Sequence, residues 1–200
     1  MAARFRQQVL TPAVRAAQER YFGHCQVVEN APSRDLLTAE EATFIATRDS
    51  FYLASVNGDD WPYIQHRGGP AGFLQVLEAN LLGFADLKGN RQLLSTGNID
   101  GNDRVALFLM DYPHRERLKI LGRARVLDAR ENPDLADKLS PDPKLRDQIE
   151  RLFVIEVVSF DWNCPQYITP RYTLSEMEEV ITPLKARIAE LEALLDGRTG

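Results

Sequence analysis

The sequence predicts an α+β protein that is mainly β: an antiparallel sheet or barrel edged by helices, with a separate helix at the C-terminus. Three observations carry this. Segments rich in aromatic and β-branched residues recur between short turns. They do not alternate regularly with helices, which argues against a doubly wound parallel sheet. The last segment then changes to a heptad pattern unlike anything before it.

The elements follow in order. Thr11 is a good N-cap, Pro12 suits the first helical position and Gly23 can close the C-terminus, so Pro12 to Phe22 is expected to be a helix. Thr38 and Glu41 form a capping box for a second helix, made apolar on one side by Phe44 and Ile45 and running to about Arg48. From Ser50 the period changes: "SFYLASVN", the turn "NGDD" and "PYIQHR" make a hairpin. Further strands are expected at Phe73–Leu77, Leu81–Leu87, Arg104–Tyr112, Arg117–Asp128 and Arg151–Trp162, with a proline-punctuated helical insert at Asp134–Glu150. "RVALFLM" is apolar on both faces and is expected to be a central strand.

In the final segment, Leu174 to Asp196, the residues Met177, Ile181, Leu184, Ile188, Leu191 and Leu195 recur at spacings of four and three, interrupted by Pro183. Such a helix either packs on its own barrel or pairs with a second subunit.

Composition narrows the classes of function. The chain has 200 residues, 44% hydrophobic and 26% charged, within the range of ordinary globular proteins, and at that size a core forms without disulfides or metal. Cys25 and Cys164 are the only cysteines and lie far apart, consistent with a reduced, cytoplasmic protein. Met1 to Leu10 lacks the apolar core of a signal peptide, and no apolar run approaches the length that spans a bilayer. The net charge is −5 with both signs mixed along the chain, so no nucleic-acid or membrane partner is expected.

Self-sufficient catalytic sets are missing from the pattern. His24, His66 and His114 are scattered without metal-ligand spacing, no "GxSxG" elbow occurs, and Cys25 reads either as a nucleophile or, more commonly, as a small buried hydrophobe. "GxGxxG" and "GxxxxGK[ST]" are both absent. Such a chain either binds a cofactor that carries the chemistry or is not an enzyme. Basic residues do recur between Pro62 and Arg125, and each can simply belong to a solvated strand face. Arg91 stands apart: it follows Gly89 and Asn90 at the expected opening of a helix, where free N–H groups favour an anion, and its guanidinium can fork onto phosphate oxygens.

The run from Asp59 to Val126 contains "HRGGPAGF" and "GNRQLLSTGN". It resembles the pyridoxamine 5'-phosphate oxidase-like family of FMN-binding split β-barrels, closely over about a third of the chain, and Ser50–Asn57 and Arg151–Trp162 fit the same barrel. The resemblance implies a six-stranded antiparallel split barrel and a homodimer with FMN at the subunit interface. The barrel domain would span residues 1–173, with helices within 12–48 and strands within 50–162, followed by the C-terminal helix at 174–196.

By position, the resemblance implies that Tyr63, Ile64, Gln65, His66 and Arg67 run beside the flavin ring. Phe84 and Ala85 match a pair on the next strand, although Ala85 lacks the family's hydroxyl. Asn90 and Arg91 match the basic pair on the phosphate, the first having become an amide, and Arg117 stands where the family often has a glutamine reaching the flavin. Trp162, Asn163 and Gln166 are expected in a lid or dimer-contact loop, the alternative being barrel closure with Trp162 in the core.

The C-terminal substrate-binding motif of the vitamin B6 oxidases is not found, so the resemblance does not extend to pyridoxamine phosphate as the substrate, which stays open. Two functions remain. One is an FMN-dependent oxidoreductase exchanging hydride or electrons with a small molecule, with NAD(P)H as a candidate donor. The other is a storage or sensor protein holding FMN, a deazaflavin or haem, for which His66 is the candidate axial ligand.

Overall fold

The computed structural model describes residues 2–162 and 165–196, the last two by backbone alone. Its first element, α1 (Ala3–Val9), was not expected from the sequence, because it has no side-chain cap. Tertiary contact holds it instead: Phe5 is buried, with the Lys119 ammonium 4.7 Å from its ring centroid. Helix α2 (Pro12–Phe22) has the expected bounds and signals: the Val14 N–H donates to the Thr11 hydroxyl at 3.3 Å, and Gly23 closes the helix with φ of 71°. Helix α3 (Ala39–Ala46) begins at the expected capping box, with the Thr38 N–H donating to Glu41 Oε2 at 2.8 Å, and stops before Arg48. Its buried residues are Glu41, Phe44 and Ile45.

The expected hairpin is β1 (Ser50–Val56) and β2 (Pro62–Gly68), in register from Ser50↔Gly68 to Val56↔Pro62. Asn57 shapes its turn, its Oδ1 accepting from the N–H groups of Asp59 and Trp61. There follow β3 (Gln75–Glu78), β4 (Leu81–Leu87), α4 (Leu94–Gly101), β5 (Arg104–Asp111), β6 (Glu116–Asp128) and α5 (Pro133–Leu139). A 3-10 turn (Pro143–Gln148), β7 (Ile149–Trp162) and α6 (Leu174–Asp196) complete the order.

Among the described residues the strands form one seven-stranded antiparallel sheet, ordered β2-β1-β5-β6-β7-β4-β3, against the six implied by the resemblance; the short strand β3 falls at the strand expected over Phe73–Leu77. Three strands separate β1 from β4 in that order. The Phe51 ring of β1 nevertheless lies 5.4 Å from the Phe84 ring of β4, so the sheet curls round on itself and encloses the core. Strands β6 and β7 are the longest, with 13 and 14 residues, and their pairing shifts register between Leu121 and Gly122, an irregularity of the kind that bends strands. A Cβ at Gly122 would sit 2.7 Å from Ile155 Cγ2 and 2.8 Å from the Glu156 carbonyl oxygen, so only glycine lets the strands close there.

Strand β5 is central, as expected, but only alternate residues are fully buried. Its other apolar row, Ala106, Phe108 and Met110, lies half-buried on the outside of the barrel beside Tyr52. No helix among the described residues is long and apolar enough to cross a membrane.

Trp162 closes the barrel rather than forming a lid: its ring meets Phe44 edge-on at 4.8 Å and its indole N–H donates to Glu41 Oε1 at 2.7 Å. Asn163 lies outside the described residues. Gln166 is exposed in a turn after the barrel. Burial alone would push the Glu41 carboxyl up. The hydrogen bonds from the Thr38 hydroxyl, the Trp162 indole and the Thr38 N–H outweigh it and hold the group below its ordinary value of 4.5.

This stabilisation is whole above pH 4.5 and is lost as the pH falls through the lower folded value. Trp162→Phe is therefore expected to cost about 1.5–3 kcal/mol near pH 7, the range for a hydrogen bond to a charged group. The gap between variant and parent should narrow under acid, and urea midpoints measured near pH 7 and about pH 3.5 check this. A gap independent of pH would assign the loss to packing alone.

Candidate functional site

Strands β2 and β4 face each other across the curled sheet without pairing their backbones. One ion pair crosses the split, and a cross-strand neighbour of its carboxylate supports it. Arg67 of β2 donates to Asp86 Oδ1 at 2.6 Å, and Arg151 of β7 donates from Nε to Asp86 Oδ2 at 2.9 Å. All three are largely buried, with side-chain exposures of 13%, 13% and 19% for Arg67, Asp86 and Arg151. The Arg67 guanidinium also lies 4.9 Å from the Phe153 ring centroid and 5.6 Å from that of Phe84, over two rings stacked 4.7 Å apart. Burial lowers the Arg67 pKa, and the neighbouring Asp86 charge opposes that shift.

Beside this bridge is a cavity of about 330 Å3. Strand β2 forms one wall through Tyr63, Gln65, His66 and Arg67, and β4 forms another through Phe84 and Ala85. The loop from Gly89 to Leu93 and the start of α4 close the end. Because β2 is the last strand of the sheet, its outer backbone edge has no strand partner among the described residues.

Two hydrogen bonds dock α4 on the hairpin. The Ser95 hydroxyl, 1% exposed, donates to Gln65 Oε1 at 2.7 Å, and the Asn98 amide donates to the Ser55 hydroxyl at 2.9 Å. With its oxygen engaged by Ser95, the Gln65 side chain keeps its NH2 as the group free for the cavity.

The loop before α4 differs from the sequence expectation. Arg91 does not open the helix; α4 starts three residues later, at Leu94. Both Arg91 and Leu93 are left-handed, with φ of 61° and 55°, a conformation that costs a non-glycine residue about 1–2 kcal/mol. Asn90 supports the turn by accepting the Gln92 N–H at 3.1 Å. The helix start has no side-chain cap, so its first N–H groups keep no acceptor from a capping residue. Arg91 is exposed on the cavity rim and makes no ion pair among the described residues. The lining holds three arginines, Arg67, Arg91 and Arg151, against the single carboxylate of Asp86, which leaves it positive.

Most of the expected site residues therefore converge: Tyr63, Gln65, His66, Arg67, Phe84, Ala85, Asn90 and Arg91 all line this cavity. Ile64 does not, since it points out of the hairpin at 63% exposure. Nor does Arg117 reach the cavity of its own chain; it lies on β6 with its guanidinium 5.9 Å from the Phe108 ring centroid, among the outer apolar row. Trp162 and Gln166 are also outside the lining. Asp86, Ser95 and Arg151 were not anticipated. The one legible signal for Asp86 was an acidic residue inside an otherwise apolar strand, "LLGFADL".

A family model described as pyridoxamine 5'-phosphate oxidase matches residues 37–152, more than half of the chain and every cavity residue named above. No curated protein matches. Among solved structures, the HupZ protein of Group A Streptococcus is 12% identical, covers 68% of this chain and 100% of its own, and superposes with a TM-score of 0.50. A pyridoxamine 5'-phosphate oxidase candidate from Lactobacillus delbrueckii is 21% identical over 63% of this chain and 93% of its own, with a TM-score of 0.49. An FMN-binding protein from Syntrophomonas wolfei is 10% identical over 62% of this chain and 85% of its own, with a TM-score of 0.46. Identities this low carry likeness of fold alone.

Removing the Asp86 carboxylate leaves the buried Arg67 guanidinium unpaired and Arg151 with Glu150 as its remaining carboxylate. Asp86→Ala is expected to destabilise the fold by about 3–5 kcal/mol, read from the urea midpoint. In a double-mutant cycle with Arg151→Met, the combined loss should fall short of the sum, and strict additivity would show that the bridge is not a unit.

Proposed function

The chain belongs to the pyridoxamine 5'-phosphate oxidase family, and from that premise we propose that its cavity binds flavin mononucleotide and that the protein is an FMN-dependent oxidoreductase acting on a small molecule. The observation that carries this is the meeting, in one positive cavity, of an unpaired strand edge and an uncapped helix start rimmed by Arg91. A mononucleotide asks for both: donors and acceptors along a flat ring, and a cationic, N–H-rich cradle for its phosphate.

The residues present fit that group. Arg67 and Arg151 are engaged by Asp86, so Arg91 is the cation left for phosphate. The uncapped N–H groups at the start of α4 would share the anion with it, and the left-handed loop aims backbone at the same place. On β2, backbone groups and the NH2 of Gln65 would hold the polar edge of the ring, with Ser95 as the residue that orients Gln65. Ala85 has no hydroxyl to offer the ring.

FMN supplies, when bound, a ring able to take up and return hydride or single electrons. The protein's part is to grip the phosphate, orient the ring and shield one face with Phe84 and Phe73 at the cavity wall. A homodimer is part of the same proposal. The outer row of Tyr52, Ala106, Phe108 and Met110 is an apolar, partly exposed face, and Arg117 shares it. Pairing through it would direct Arg117 towards the neighbouring chain's cavity rather than its own.

The test begins with the purified protein. A yellow preparation that bleaches with NADH or NADPH and recovers in air supports the oxidoreductase, while a yellow one that no donor bleaches would make it a storage or sensor protein. A colourless protein that takes up no added FMN would defeat the proposal. Arg91→Ala is expected to raise the dissociation constant for FMN by about 10- to 150-fold, equivalent to roughly 1.5–3 kcal/mol. Riboflavin, which has no phosphate, should bind parent and variant alike; equal weakening of both ligands would place the phosphate elsewhere.

A further inference from the structure

We infer that α6 is one half of a parallel, two-stranded coiled coil formed with α6 of a second copy of this chain. The inference does not depend on flavin binding. The helix has 23 residues, about 35 Å of rise, and most of its described apolar side chains are exposed, Ile181 being half-buried. Leu174, Met177, Leu184, Ile188 and Leu191 are between 39% and 85% exposed, and together they form a continuous apolar stripe of the kind that marks an interaction surface.

The residues on this stripe specify the partner. In heptad terms Leu174, Ile181 and Ile188 occupy a positions and Met177, Leu184 and Leu191 occupy d positions. Isoleucine at a with leucine at d is the combination that favours two parallel strands, because the β-branched side chain packs well at a only in that geometry. No polar residue interrupts the seam.

Charge agrees with this register. In a parallel pair, a g residue faces the e residue of the following heptad on the other helix, so Arg187 at g meets the partner's Glu192 at e, and symmetry repeats the contact. Within one chain Arg187 is held only by Glu190 at 2.5 Å, an exposed pair three residues apart that can rearrange at little cost. Lys185 at e meets the partner's Val180 at g, where its aliphatic stem extends the apolar contact.

Pro183 is compatible with the same arrangement. It occupies a c position, and the carbonyl it leaves without an N–H partner belongs to Glu179, at f. Both lie on the side away from the seam, where water satisfies the carbonyl and the ring meets no partner helix.

Orientation is tested by cysteine cross-linking of the full chain with Cys25 and Cys164 replaced by serine. Leu191→Cys is expected to form a disulfide-linked dimer under mild oxidation, because a parallel pair brings each d position to its own counterpart, whereas Thr182→Cys on the outer face is not. If Leu191→Cys fails to cross-link alone but does so when Leu174→Cys is mixed in, the helices run antiparallel and the inference is overturned. Sedimentation supplies the second measurement: Ile188→Glu should weaken self-association at least tenfold. An unchanged dissociation constant would likewise overturn it.

Discussion

Asp86 is the carboxylate on which the geometry of the split depends. Strands β2 and β4 meet across the curled sheet with no backbone ladder between them, so their spacing is set by side chains. Asp86 answers Arg67 from one side and Arg151 from the other, at 2.6 Å and 2.9 Å. Each guanidinium would be unfavourable if buried alone; Asp86 makes the burial of both tolerable, and Glu150, 3.1 Å from Arg151, supplies a second carboxylate. The bridge also holds Arg67 over the stacked rings of Phe84 and Phe153, coupling the charged seam to the aromatic core. A ladder of hydrogen bonds in the same place would have closed the barrel and left no cavity.

The free edge of β2 carries a hazard, since unpaired strand edges recruit other strands. Here the edge is short, begins with Pro62, which has no N–H to offer, and carries Arg67 near its far end. These features discourage strand addition while leaving Tyr63 to Arg67 available to a flat ligand. The opposite end of the cavity is maintained at a cost: Arg91 and Leu93 hold left-handed backbone, and the hydrogen bonds Ser95–Gln65 and Asn98–Ser55 keep α4 where that loop must deliver it. Strain concentrated at an anion-seeking helix start fits a ligand site better than an ordinary connection.

Local physics was legible in the sequence, and long-range pairing was not. Thr11, Pro12 and Gly23 delimit α2 because caps act within one turn, and the period-two runs locate the strands because side-chain alternation is local. Helix α1 escaped notice because its support, Lys119 over Phe5, comes from more than a hundred residues away. The same holds for Asp86 with Arg151, separated by 65 positions. Gly89 and Asn90 mark Arg91 as a phosphate candidate in the sequence, yet the glycine implies an immediate helix start, whereas the chain makes an Asx turn through Asn90 and two left-handed residues first. The resemblance brought Arg117 into the site, and one chain alone leaves it on the outer face.

The outer face and α6 bear on each other. The apolar row around Tyr52 and Phe108 is only half-exposed and modest in extent, so a contact through it alone would be of the weak class. The proposed parallel helix pair would change the problem, because it would place both barrels at the same end of the coiled coil and turn their encounter into an intramolecular event at an effective concentration set by the connection between β7 and α6. Antiparallel helices would hold the barrels about 35 Å apart at opposite ends and gain nothing of this kind. On the proposed pairing, orientation of the last helix would therefore govern whether a weak barrel contact suffices, and with it whether Arg117, silent in its own chain, would have a neighbouring cavity to serve.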